Sequence, residues 1–179
     1  MIIIGENLRE LVSQHNILNS KSGFDTTCLK LTLGNEYIAF RSKRSLISKP
    51  DTIVYGEELS PDFYEKKTIG DGGLIIPPKE AVLASSKEVI KMPAGYMGFL
   101  QTTGSLARLF VSIHFCDGQV DPGFSGNITF EIFNASDYNI CIRKNIPVGN
   151  LYIFKASTKN HMLYDGKYQG AKGPTIQKP

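Results

Sequence analysis

The sequence has few cysteines and no long hydrophobic run. Its three cysteines, Cys28, Cys116 and Cys141, are odd in number and widely spaced, which favours reduced, buried thiols over a disulfide framework. No apolar stretch approaches the roughly 20 residues of a membrane span. The MIII start is too short for the core of a signal peptide. These absences predict a soluble, cytosolic protein with no membrane partner.

Basic residues are also not concentrated in one place. The net charge is +3, and the local clusters are only Arg41, Lys43 and Arg44 and the pair Lys66 and Lys67. Nucleic-acid binding usually requires a basic stripe or patch, so the sequence predicts no nucleic-acid partner. A small anionic ligand is compatible with this charge.

One helical pattern followed by many short strand-like runs predicts a mostly β protein. The chain has 179 residues, 41% of them hydrophobic, which fits one domain with a single core. A helix is predicted over residues 5–17, because Leu8, Leu11 and Val12 recur at helical spacing. From Cys28 onward, short β-branched and aromatic runs alternate with Gly, Pro, Asn and Asp and are predicted as strands, among them CLKLTLG (28–34), EYIAFRS (36–42) and TIVYG (52–56). About eight to ten strands on one core predict an all-β jelly roll or a related double sheet.

One strand carries a carboxylate in an unusual setting. In NITFEIFN, the period of two places one set of apolar residues toward the core: Ile128, Phe130 and Ile132. The other face carries Asn127, Thr129, Glu131 and Phe133. Glu131 is therefore expected to be partly desolvated unless a cation pairs with it. Arg108 is the candidate partner, because it lies in TGSLARLF among apolar residues that are expected to belong to the core.

Three segments resemble the dCTP deaminase family. GSLARLFVSIHFCDGQVDPGFSGNITFEIFN, from Gly104 to Asn134, is similar to the family's central block. KYQGAKGPT, from Lys167 to Thr175, is similar to its closing segment, and DTTCLKLTLGNEY resembles its entry strand. Trimeric dUTPases share this ancestry and are the nearest alternative. The resemblance implies a homotrimer of distorted, dUTPase-like β jelly rolls, with nucleotide sites between neighbouring subunits.

The resemblance also implies roles for individual residues. It assigns Glu131 as the general base that activates water for attack on C4 of cytosine, with Arg108 as its partner and Ser105 as a catalytic hydroxyl in the same turn. The expected substrate-binding residues are Thr103, Gly104, Ser105, Leu106, Ala107, Arg108, Asp121, Thr129, Phe130, Glu131, Tyr164, Lys167, Tyr168 and Ala171. The tail, residues 164–179, is rich in Gly, Lys and Pro, which predicts a mobile lid that closes over the nucleotide.

No protein-bound metal is expected. Zinc-dependent cytosine deaminases carry an H-x-E and P-C-x-x-C signature. This chain has no C-x-x-C, and none of His15, His114 and His161 is followed by x-E. In the strand FVSIHF, a structural role is expected for His114. The resemblance instead implies Mg²⁺ that is bound through the phosphates of the nucleotide.

Four positions depart from the family pattern. Thr103 and Gly104 replace an arginine and a serine of the family turn, Ala171 replaces a glutamine, and Asp117 replaces a small residue. Three functions therefore stay open. The first is a zinc-independent dCTP deaminase that releases ammonia and dUTP. The second is a dUTPase-like or bifunctional enzyme in which Asp121 positions the water that attacks the α-phosphate. The third is a non-catalytic nucleotide-binding homologue.

Overall fold

A computed structural model describes residues 1–19, 23–41, 52–159 and 162–179 of the chain. Lys43, Arg44 and His161, which the sequence analysis singled out, lie outside these described residues. Within these described ranges, no helix has both the length and the apolar character needed to cross a membrane.

Helix α1 (Gly5–His15) forms where the helical pattern predicts it. Leu8, Leu11 and Val12 are all buried against the core, which confirms the predicted face. The helix ends at His15 rather than Ile17, because Asn16 adopts the left-handed conformation (φ 50°) and its N–H bonds to the carbonyl of Val12. The second helix, α2 (Gly104–Ala107), is a single turn.

Strands make up most of the regular secondary structure in the described chain. They are β1 Ile2–Ile3, β2 Leu29–Phe40, β3 Tyr64–Thr68, β4 Leu74–Ile76, β5 Ala81–Lys91, β6 Tyr96–Thr102, β7 Val111–Ser112, β8 Gln119–Val120, β9 Ser125–Asn134, β10 Ile140–Ile142 and β11 Pro147–Lys155. The predicted all-β fold with one short N-terminal helix is confirmed.

The strands form one large curled sheet and one small sheet. The large sheet has the order β7-β9-β5-β2-β11-β6-β8, with β1 on β11 and β3 on β2, and the small sheet pairs β10 with β4. β2 joins the two halves of the large sheet. Its first part pairs with β11, and its second part pairs with β5 and β3. This curled sheet is the distorted jelly roll that the sequence predicts.

The core lies between the two halves of the curled sheet. Its fully buried side chains include Leu29, Phe130, Ile132, Leu151 and Ile153. Along β9, buried and half-buried residues alternate strictly. This confirms the predicted core face of β9 and leaves its other face, which carries Glu131, available for a site.

Several strand predictions were wrong in detail. The runs at 28–34 and 36–42 form the single strand β2, which continues through Gly34 and Asn35. TIVYG, residues 52–56, is not a strand, and Ile53, Val54 and Tyr55 are exposed. β3, with the charged sequence YEKKT, has no apolar alternation and was missed.

The thiols only partly follow the prediction. Cys28, Cys116 and Cys141 are all free, but only Cys28 is buried. Cys116 and Cys141 are exposed, because they lie in a loop and on a strand of the small sheet rather than in the core. Burial raises the pKa of the Cys28 thiol above its ordinary value.

Candidate functional site

A cavity of 560 Å³ opens on the outer face of β9. Strand β9 contributes Asn127, Thr129 and Glu131 to its wall, and strand β8 with its flanking residues contributes Asp117, Gln119 and Asp121. The chain's own tail forms another wall. This volume and the convergence of a few polar groups are typical of a small-molecule site.

Glu131 is fixed in this wall by backbone N–H groups. Its Oε2 accepts hydrogen bonds from the N–H of Cys116 at 2.6 Å and of Asp117 at 3.1 Å. In the described ranges, both bonds of the carboxylate go to Oε2, and Oε1 has no protein partner. The rings of Phe115 and Phe133, 4.7 Å apart, pack together close by. The carboxylate is therefore oriented by one oxygen while the other can bind water.

His114 lies next to Glu131 through a parallel β-bridge. Its Nδ1 is 3.4 Å from the hydroxyl of Ser112, and its Nε2 is buried without a partner in the part of the chain that the structure describes. Burial lowers the pKa of His114 below its ordinary value of 6.5, against the opposing effect of Glu131 and Asp117. The structure thus favours a neutral imidazole at this position.

The lowered pKa of His114 predicts a stability effect of pH. Below pH 6.5, the ordinary pKa of histidine, His114 is protonated more readily in the unfolded chain than in the folded chain. The contribution of neutral His114 to folding stability is therefore present above pH 6.5, and it is lost as the pH falls through the lowered pKa of the folded state. We expect the melting temperature of the parent to fall more steeply with acid than that of His114→Asn. Parallel curves for the two proteins would contradict this prediction.

Asp121 and its neighbours form a further part of the cavity wall. Gln119 Nε2 donates to Asp121 Oδ1 at 2.5 Å, and this bond fixes the carboxylate at the wall. The ring of Phe124 packs edge-on against Tyr164 of the tail, with centroids 5.9 Å apart. Asp117, the acidic departure from the family pattern, lines the same cavity.

The tail runs along β9 and is held by a series of hydrogen bonds. The N–H of Asn127 donates to the carbonyl of Ala171 at 2.9 Å. Further along, the N–H of Gly173 donates to Asn127 Oδ1 at 3.1 Å, and the hydroxyls of Thr129 and Thr175 are 2.9 Å apart. Tail residues thereby line the cavity: Tyr164, Tyr168, Ala171, Thr175, Ile176 and Gln177.

Two lysines of the tail lie close to the ring of Tyr168. The Nζ atoms of Lys167 and Lys178 are 5.8 and 5.9 Å from the ring centroid. The two lysines also bond each other's backbone, with Lys178 Nζ donating to the carbonyl of Lys167 at 2.9 Å and Lys167 Nζ donating to the carbonyl of Lys178. Two positive charges are thereby concentrated beside a ring that lines the cavity.

The turn that contains Arg108 lies away from this cavity in the same chain. Residues 103–108 are not part of its wall, and Gly104, Ser105, Ala107 and Arg108 are exposed. Arg108 Nη1 lies 3.1 Å from the position that a side chain at residue 104 would occupy, so glycine leaves room for the guanidinium. In the described chain, Arg108 makes no ion pair with Glu131.

The structure thus brings together only part of the predicted site. Asp121, Thr129, Glu131, Tyr164, Tyr168 and Ala171 line one cavity. Thr103, Gly104, Ser105, Leu106, Ala107 and Arg108 lie elsewhere on the same chain. The expectation that Arg108 sits among core residues was wrong, because Leu109 and Phe110 are 50% and 71% exposed. The side chain of Phe130 is fully buried on the core face, so only its backbone could reach a ligand.

The sequence analysis missed other residues of the cavity. Gln177 was not singled out, because it lies beyond the KYQGAKGPT segment. Its spacing of 46 residues from Glu131, which equals that of the Thr129 and Thr175 pair, becomes informative only when the position of the tail is known. Across the described ranges, no group of three or more His, Cys, Asp or Glu side chains is positioned to hold a metal ion.

The curled sheet and the tail-lined cavity define an all-β protein with a candidate small-molecule site. Comparison with known proteins is consistent with this class. The family model described as dCTP deaminase-like matches residues 2–156. The chain is 31% identical to a protein of Persephonella marina named "dCTP deaminase, dUMP-forming", over 99% of this chain and 97% of that protein. A protein of the same name from a Sulfurihydrogenibium species is 33% identical, over 98% of this chain and 91% of that protein.

The fold comparison agrees. The crystal structure of the 2′-deoxycytidine 5′-triphosphate deaminase of Agrobacterium tumefaciens superposes with a TM-score of 0.61 at 16% identity. The match covers 85% of this chain and 47% of that one, so this chain spans about half of the solved protein. The chain belongs to the dCTP deaminase-like family.

Proposed function

We propose that this protein hydrolytically deaminates dCTP, with Glu131 as the general base and without zinc. The observation that carries the proposal is the setting of Glu131, whose Oε2 is fixed by two backbone N–H groups in the wall of a 560 Å³ cavity. The names of the two end-to-end relatives support dCTP as the substrate.

The proposed reaction converts dCTP and water to dUTP and ammonia. Glu131 takes a proton from water as the water oxygen bonds to C4 of the cytosine ring. The same carboxyl group then returns a proton to the amine as the C4–N bond breaks. One carboxylate can serve both steps, because it is a base in the first and an acid in the second.

The triphosphate requires positive charge. Lys167 and Lys178 lie beside Tyr168, which lines the cavity, and they are basic groups of the tail that could meet the phosphates. Mg²⁺ bound to the phosphates would neutralise further charge, as hard cations do with phosphate oxygens.

The proposal assigns Arg108 to the site of a neighbouring subunit in a homotrimer. Within one chain Arg108 is exposed and away from the cavity, while the residues that follow it are apolar and exposed. Phe110 is 71% exposed and has a left-handed backbone (φ 58°), a costly arrangement for an aromatic residue unless something packs on it. A partner subunit on this surface would cover Phe110 and bring Arg108 to the partner's Glu131.

A second candidate is a bifunctional enzyme that also hydrolyses dUTP to dUMP and pyrophosphate. Two observations support this second candidate. Both end-to-end relatives carry the name dUMP-forming, and Asp121 lines the same cavity as Glu131. A second carboxylate in one cavity could position the water for attack on the α-phosphate.

One assay tests both candidates. The protein is incubated with dCTP, dCMP or dUTP and Mg²⁺, and ammonia and pyrophosphate are followed separately. Ammonia alone from dCTP supports simple deamination, and ammonia with pyrophosphate supports the bifunctional enzyme. Nucleotide binding without ammonia from any cytosine nucleotide would refute both and favour the non-catalytic alternative.

The lid proposal predicts protection of the tail by nucleotide. Lys172 is exposed within the tail segment that lines the cavity, so trypsin should cut after it in the empty protein. We expect dCTP with Mg²⁺ to slow this cleavage, because closure over a ligand orders the segment. Mass spectrometry of the fragments measures the effect, with Lys172→Gln as a control that lacks this cleavage position. Equal cleavage with and without bound nucleotide would show that the tail is not a lid.

A further inference from the structure

The tail carries one buried polar side-chain atom that has no hydrogen-bond partner among the described residues. Gln177 lines the cavity, and its Nε2 is buried without a hydrogen bond to any described residue. An unpaired buried amide is costly, so such groups are usually satisfied by a partner absent from the free chain. The other glutamine of the tail shows the contrast. Gln169 Oε1 accepts from the N–H of Ser125 at 2.7 Å, and its Nε2 donates to the carbonyl of Gly123 at 2.9 Å.

The register of the tail places Gln177 level with Glu131. Gly173 bonds Asn127, and Thr175 bonds Thr129, each across 46 residues. If the same series is extended by two residues along both segments, Gln177 is placed opposite Glu131, and both residues line the cavity. Asn127, Thr129 and Glu131 all belong to the outer face of β9. The unpaired amide therefore lies at the level of the carboxylate proposed as the base.

The charge around Gln177 indicates which part of a nucleotide it meets. Glu131 and Asp117 line the same cavity, and two carboxylates repel a triphosphate. The basic groups that suit phosphates lie beside Tyr168. The neutral pyrimidine ring is the part of a nucleotide that can lie against Glu131, and its carbonyl oxygen is an acceptor for an amide N–H.

We propose that Gln177 is a further substrate-binding residue, whose side-chain amide donates a hydrogen bond to a carbonyl oxygen of the pyrimidine base held against Glu131. The inference rests on the proposed function, since it takes the ligand to be a pyrimidine nucleotide. It also gives the site an amide, although Ala171, which lines the same cavity, has none to offer.

The test compares two glutamines of the tail by the same substitution. Gln177→Met keeps the length of the side chain and removes the donor, and Gln169→Met does the same to an amide with partners inside the chain. Titration calorimetry with dCTP and Mg²⁺, with deoxycytidine, and with inorganic triphosphate separates the base from the phosphates. Melting temperatures of the empty proteins report stability.

We expect Gln177→Met to weaken binding of dCTP and deoxycytidine by about tenfold, the loss of one hydrogen bond, and to leave inorganic triphosphate binding unchanged. The empty variant should melt no lower than the parent, because an unpaired amide is removed. Gln169→Met should lower the melting temperature instead.

Three outcomes would overturn the inference. If Gln177→Met and the parent bind dCTP with equal affinity, the inference about Gln177 is refuted, while the proposed function is unaffected. Equal weakening of inorganic triphosphate would show that the amide contacts phosphate rather than base. If the parent binds neither dCTP nor deoxycytidine, the proposed function fails and the inference fails with it.

Discussion

Replacing Glu131 with glutamine should lower the rate of deamination by about 10²–10⁴-fold, the usual contribution of a general base. The amide keeps the size of the carboxyl group, and its oxygen can still accept the N–H groups of Cys116 and Asp117. It cannot take a proton from water. Affinity for dCTP and the melting temperature should therefore change little, while ammonia release in single-turnover experiments reports the loss.

Asp117→Asn is the matched comparison for this variant. Asp117 lines the same cavity, and its backbone N–H, which bonds Glu131, is unaffected by the substitution. We expect a much smaller loss of rate in Asp117→Asn than in Glu131→Gln. If Glu131→Gln deaminates at the parent rate, another group activates the water. If Asp117→Asn alone is inactive, that group is Asp117.

Mixing two inactive variants should restore activity, because the proposed site draws Glu131 and Arg108 from different subunits. Arg108→Ala and Glu131→Gln are each expected to lose most of their activity as pure trimers. If they are unfolded together and refolded at equal amounts, about a quarter of the sites combine an intact Glu131 with an intact Arg108. We therefore expect about a quarter of the parent rate from the mixture.

The control is the same mixture without unfolding, in which subunits have not been exchanged. Light scattering should show three times the chain mass for the parent and for the refolded mixture. No recovery in a mixture of confirmed trimers would contradict the shared site and place the partner of Glu131 within its own chain. A monomeric parent would exclude the shared site directly.

Local patterns were sufficient to predict the fold and one face of the site. The alternation in NITFEIFN predicted the buried set and the outer position of Glu131, since a side-chain period of two does not depend on the rest of the chain. The helical spacing of Leu8, Leu11 and Val12 likewise predicted helix α1. Both signals come from residues close together in sequence.

Features that depend on contacts between residues far apart in the sequence could not be predicted from local patterns. Arg108 lies among apolar residues in the sequence, which indicated a core position, but Leu109 and Phe110 are exposed. Burial depends on what packs against a segment, and one chain's sequence does not specify a neighbour. The position of Gln177 relative to Glu131 depends on where the tail lies, and hydrogen bonds to the side chains of Asn127 and Thr129 determine that.

The tail bonds β9 at every second residue, so an insertion or deletion of an odd number of residues changes which tail side chains face β9. Gly173 and Thr175 bond β9 while Pro174 between them is buried, so successive tail residues have different surroundings. Deleting one residue between Thr175 and Gln177 would bring Lys178 to the level of Glu131, whereas inserting two would keep the alternation and move Gln177 past it. Homologues that differ in length here by an odd number of residues should therefore present a different type of side chain to the base.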